Sequence, residues 1–83
     1  MRGDSAIAVV LITTEPGREH EVVKILSGLA DVSEALLLFG EYDIFIKLEC
    51  PDFGFLSDIV VNTIRNIEGV ETTKTLTAAP IFD

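Results

Sequence analysis

The chain has 83 residues, enough for one domain, and a domain of this size buries only about two-thirds of its unfolded surface, so modest stability as a monomer is expected. Fourteen acidic residues against six scattered basic ones give a formal charge of −8, which argues against a direct grip on a nucleic-acid backbone. No apolar run reaches the ~18 residues of a membrane span and residues 1–5 lack the pattern of a signal peptide, so a soluble, cytoplasmic protein without a membrane partner is expected.

Residues 6–13 are apolar at both parities, Ile7, Val9 and Leu11 alternating with Ala8, Val10 and Ile12, as in a central strand. Thr14-Glu15-Pro16-Gly17 breaks it. Residues 18–29 turn helical: Val22, Ile25, Leu26 and Leu29 form a stripe at spacings of three and four, and Glu19 and Glu21 suit the positive end of the helix dipole. Residues 31–39 read as a second strand, Gly40-Glu41 as a tight turn, and residues 42–50 as a third strand with Tyr42, Ile44, Ile46 and Leu48 on one face. Cys50, the only cysteine, allows no intrachain disulfide or multi-cysteine metal site and reads as a small strand residue in a reducing compartment.

Pro51 ends that strand and Asp52 is the expected N-cap of a second helix, whose stripe of Phe53, Leu56, Ile59 or Val60, Ile64 and Ile67 is the cleanest periodicity in the chain. Gly69 is its natural stop. The last strand, residues 70–78, places Thr73, Thr75 and Thr77 on one face and Val70, Thr72, Lys74 and Leu76 on the other. The order β-α-β-β-α-β predicts an α+β, ferredoxin-like fold: a four-stranded antiparallel sheet with both helices on one face. The other face would then be bare, and in a chain that is 48% hydrophobic a second copy is expected to cover it, giving a dimeric α/β sandwich.

Few residues offer catalysis. His20 sits among charged residues with no evident acid–base partner and reads as a surface residue. Glu19/Glu21 and Glu41/Asp43 are two-residue patterns too sparse for a metal site, so no metal or cofactor is expected. Arg18 follows a Pro-Gly turn, where ferredoxin-like phosphatases keep an anion-binding arginine, and Asn66 is a candidate to orient a water. The loop nonetheless lacks the several glycines of a phosphate cradle, and solvated residues account better for both.

The stretch Gly40-Glu41-Tyr42-Asp43 stands out, because two apolar runs meet there at a turn carrying its own carboxylate. Acidic residues are common at turns, where Asp braces the local backbone. The functional reading is that Gly40 exposes backbone N–H and C=O groups while Asp43 offers a carboxylate to an ammonium, holding the two ends of an amino acid. Thr73 and Thr75 add hydroxyls, although threonine in a strand also serves β propensity.

Taken together, Thr14-Glu15-Pro16-Gly17, the apolar strand leading into Gly40-Glu41-Tyr42-Asp43, and Gly69-Val70 followed by Thr73-x-Thr75 resemble the C-terminal RAM domain of the Lrp/AsnC transcriptional regulators over residues 6–78. Full regulators carry a helix-turn-helix domain before this one; residues 1–5 leave no room for it, so a stand-alone RAM protein spanning residues 1–83 is expected. The resemblance implies dimers formed through the sheets, commonly built into an octameric ring, with amino acid effectors between dimers. It also implies that Gly40 and Asp43 contact the effector's amino acid moiety, that Tyr42 lines or shapes the site, and that Thr73 and Thr75 contribute from the last strand; Leu38 and Glu41 flank the turn. The expectation is a non-enzymatic, amino acid-binding, oligomerising module that modulates full-length Lrp/AsnC regulators. The alternatives are a structural adaptor without a ligand, a small dimeric ferredoxin-like enzyme, or an ACT-type regulatory domain, which shares the element order.

Overall fold

A computed structural model describes residues 5–79. The elements run β1 (Ala6–Thr14), α1 (Glu19–Ser27), β2 (Val32–Leu37), β3 (Ile44–Cys50), α2 (Phe53–Ile59) continued by a π-helical turn (Val60–Ile64), and β4 (Val70–Thr77). The strands pair antiparallel in the order β2-β3-β1-β4, the ferredoxin-like arrangement.

Alternation fixes the core. Ala6, Ala8, Val10 and Ile12 of β1 and Ile44, Ile46, Leu48 and Cys50 of β3 are buried beneath Val22 and Leu26 of α1 and Leu56, Ile59, Val60 and Ile64 of the second helix. In β1 both parities are apolar, so Ile7, Val9 and Leu11 lie on the opposite face beside Phe45, Lys47 and Glu49 of β3, and these apolar residues and Phe45 remain only half-buried. Leu36 and Leu76 are on the same face and nearly half exposed, at 47% and 49%. The bare face anticipated from the sequence is therefore present and apolar at its centre.

Three expected boundaries differ. The second strand ends at Leu37 and the third begins at Ile44, because the Leu38 N–H donates to the Asp43 carbonyl and closes a longer loop in place of a two-residue turn. Tyr42 therefore lies in this loop, outside β3. The second helix is α-helical only to Ile59; the Arg65 N–H then reaches the Val60 carbonyl five residues back. The run Val60-Val61-Asn62-Thr63-Ile64 lacks strong α-formers, which makes the wider turn easier to accept. Finally, a bulge in the β1–β4 pairing sets Thr13 opposite Thr72 but Thr14 opposite Val70. Val70 thus moves to the helix side and packs against the core, not beside Thr72, Lys74 and Leu76 as the plain alternation predicts.

Asp52 caps α2 as expected, its side chain accepting the Phe55 N–H at 2.8 Å. Gly69 takes φ +101 at the entry to β4, and its carbonyl accepts the Glu15 N–H, tying the β1–α1 loop to the start of β4. Arg18 reinforces that junction through Glu15, Glu21 and Glu68.

Candidate functional site

The loop between β2 and β3 carries Gly40 at φ +128, a conformation side-chain-bearing residues rarely adopt, with open space where a Cβ would be. This leaves backbone accessible beside Asp43. The start of α1 leans over the same loop, and Glu19, His20, Leu37, Leu38, Phe39, Gly40 and Asp43 enclose a hollow of about 280 Å³.

Asp43 is held firmly. Its N–H donates to the Ile12 carbonyl at 2.9 Å, and its Oδ2 accepts the Thr14 N–H at 2.8 Å. Both readings of this residue thus meet in one side chain: one oxygen braces the backbone, while Oδ1 has no hydrogen bond among the described residues. Glu19 is the unforeseen neighbour. Its Oε1 is enclosed without a partner among the described residues, a state that favours an incoming donor. Nothing in the sequence brings Glu19 and His20 to Gly40, since only the packing of α1 over the β2–β3 hairpin does so.

Thr73 and Thr75 lie elsewhere. They share a face, as expected, but that face is the helix side of the sheet, for Thr73 pairs with Ile12 and Thr75 with Val10. Thr73 joins Arg65, Val70, Glu71 and Thr72 around a second hollow of about 350 Å³. Thr75 lines a third, of about 380 Å³, between β4 and the second helix. Thr14 stands between the first two hollows: it pairs with Val70 on one side and donates to Asp43 on the other. The five sequence candidates therefore do not converge within one copy, and Tyr42, half-buried, is outside the lining of the Asp43 hollow.

The groups considered for phosphatase-like chemistry are engaged in structure. Arg18 forms ion pairs with three carboxylates, and the hydrogen bond to Glu21 is the main cause that raises its pKa. Asn66 donates its side-chain amide to the Asn62 carbonyl on its own helix. Burial raises the Cys50 thiol pKa, with added contributions from Asp31 and Asp52, so the thiol is held protonated.

The family model for the Lrp/AsnC ligand binding domain matches residues 7–79. The regulatory protein AsnC of Escherichia coli K12 is 37% identical over 51 residues, 61% of this chain and 34% of AsnC. The solved structure of E. coli AsnC superposes with a TM-score of 0.79 at 28% identity, covering 98% of this chain and 56% of that one. The crystal structure of FFRP-DM1 gives 0.87 at 31% identity, covering 89% of this chain and 99% of that one. A 54-residue stretch, 65% of this chain, is 39% identical to 12% of homocitrate synthase from Sulfurisphaera tokodaii. The chain thus spans about half of AsnC, and the match extends from β1, through the Gly40–Asp43 loop, past the end of β4. By that match and by the fold beneath it, the chain belongs to the Lrp/AsnC ligand-binding domain family.

Proposed function

We propose that this protein is a non-enzymatic effector module that binds an amino acid, self-associates through its bare sheet face and modulates full-length Lrp/AsnC regulators in the cytoplasm by entering their assemblies. The observation that carries this reading is the Gly40–Asp43 hollow. A small apolar recess with a free carboxylate oxygen and open backbone polar groups suits a molecule with an ammonium head and a short side chain. Leu37 and Leu38 would meet the side chain, Asp43 and the Gly40 backbone its polar end, and Tyr42 would shape the rim.

Because Thr14 separates Asp43 from Thr73, the complete site takes Gly40, Tyr42 and Asp43 from one copy and Thr73 and Thr75 from another. A ligand bridging copies favours whichever assembly completes its site, and this linkage is the physical basis for regulation. The sheet face supports the assembly step, since half-buried Ile7, Val9, Leu11 and Phe45 would be hidden by a second copy. The similarity of one short stretch of an enzyme to this chain fits a regulatory module that can be attached to different proteins.

The test is calorimetric unfolding against the twenty amino acids at millimolar concentration, where a ligand at a hundred times its Kd adds about 2.7 kcal/mol of stability. A shift confined to a few amino acids, lost in Asp43→Asn, is the expected result. A folded oligomer indifferent to all twenty would instead be a structural adaptor.

A further inference from the structure

We propose that Arg65 is the carboxylate anchor of the effector site, a role that rests on the amino acid-binding reading above. An amino acid brings a carboxylate as well as an ammonium, and a chain of charge −8 repels the carboxylate unless a cation is placed to receive it. Among the described residues, Arg18 is committed to Glu15, Glu21 and Glu68, while Lys47 pairs with Glu49. Lys74 alternates onto the bare sheet face beside Leu11, and Lys24 sits in the last turn of α1.

Arg65 differs from all of these. It lines the 350 Å³ hollow with Thr72 and Thr73, has no carboxylate within ion-pairing distance among the described residues, and donates its Nε–H to Thr73 Oγ1 at 3.4 Å. That contact uses one donor of the guanidinium and leaves others for a planar, two-oxygen acceptor. Among the described residues, the other two hollows have no lysine or arginine in their linings. Glu71 also lines the Arg65 hollow but makes no ion pair with Arg65 among the described residues.

Arg65 closes the π-helical turn, its N–H making the bond to the Val60 carbonyl that spans five residues. Such turns are frequent at functional sites. Asp43 and Arg65 line separate hollows with Thr14 between them, so the ammonium and carboxylate of one amino acid are met by different copies.

The experiment uses the amino acid that shifts wild-type unfolding most, its C-terminal amide, and the variants Arg65→Met, Arg65→Lys and Asp43→Asn. Arg65→Met is expected to weaken binding by roughly 10- to 100-fold, the loss for a hydrogen-bonded charged group, without lowering the unliganded Tm. Arg65→Lys, which keeps the charge without the fork, is expected to fall in between, and the amide to bind wild type as poorly as the acid binds Arg65→Met. Co-refolding equal amounts of Arg65→Met and Asp43→Asn is expected to restore about a quarter of the sites, as random pairing of half-sites across copies requires. A wild-type response that Arg65→Met and the amide both retain would overturn the role of Arg65 and leave the amino acid-binding reading standing. No wild-type response to any amino acid would overturn both.

Discussion

The amide of Thr14 donates to Oδ2 of Asp43 across 2.8 Å, joining the end of β1 to the loop that precedes β3. The same carboxylate is thus both a structural brace and half of the proposed effector grip. Asp43→Ala removes both at once and is expected to destabilise the fold by about 1–3 kcal/mol, the penalty for leaving a part-buried N–H unpaired. Asp43→Asn keeps an acceptor oxygen for Thr14 while removing the charge. Urea unfolding should place Asn near wild type and Ala well below it; equal losses would mean that the charge, not the acceptor, holds the seam.

Gly69 and Gly40 both have positive φ, but their surroundings differ. A Cβ on Gly69 would come within 2.8 Å of Val22 Cγ2 and 3.4 Å of Arg18 Nε, whereas one on Gly40 meets nothing. Gly40→Ala is expected to cost about 1–2 kcal/mol from backbone strain alone. Gly69→Ala adds overpacking against α1, for a total of about 3–4 kcal/mol. Thermal unfolding of the two variants ranks them directly, and the reverse order would mean that α1 moves aside freely.

The Arg18 ion pairs give stability a dependence on acid pH. The hydrogen bond from Arg18, then its charge, lowers the Glu21 pKa below the ordinary 4.5. A carboxyl depressed in the folded state stabilises above its unfolded value and loses that contribution as pH falls through its folded value. Arg18, with its pKa raised, keeps its charge throughout this range. The urea midpoint of wild type should therefore drop more than that of Arg18→Gln between about pH 5 and about pH 3. Glu21 is exposed and Arg18 partly so, and high salt should therefore shrink the difference. Parallel midpoints in the two proteins would show that the cluster adds nothing to stability.

Leu11 occupies the middle of the bare sheet face, flanked by Phe45 on β3 and Lys74 on β4. A second cation beside Lys74 has no partner, which is prohibitive in an interface and tolerable in water. Leu11→Arg should therefore turn the proposed oligomer into smaller species in sedimentation velocity while leaving far-ultraviolet circular dichroism unchanged. An unaltered mass would locate self-association on another surface.

The strands were legible because β1 carries apolar residues at both parities, β3 keeps one unbroken apolar parity from Ile44 to Cys50 and β4 alternates threonines, patterns that local sequence reports well. The Gly40–Asp43 segment was legible as polar backbone between apolar runs. What escaped is set by long-range geometry. The bulge that carries Val70 to the helix side arises from pairing with Thr14, fifty-six residues earlier in the chain. Helical periodicity at Leu56, Ile59, Val60 and Ile64 is compatible with an α-helix throughout and cannot show that the hydrogen bonds widen after Ile59. Glu19 beside Gly40, and Arg65 beside Thr73, are neighbours only once α1 and the second helix lie on the sheet.

The wider turn after Ile59 has a genetic corollary. A π turn holds one residue more than the α turn it replaces, so a single-codon deletion within 61–63 would let the second helix run on unbroken. Ile64 in the core and Arg65 beside it close the bulge and would keep their places, so such an edit would re-aim only the residues of the turn itself. Among relatives of this chain, that helix can thus differ in length by one residue while the arginine still faces the last strand.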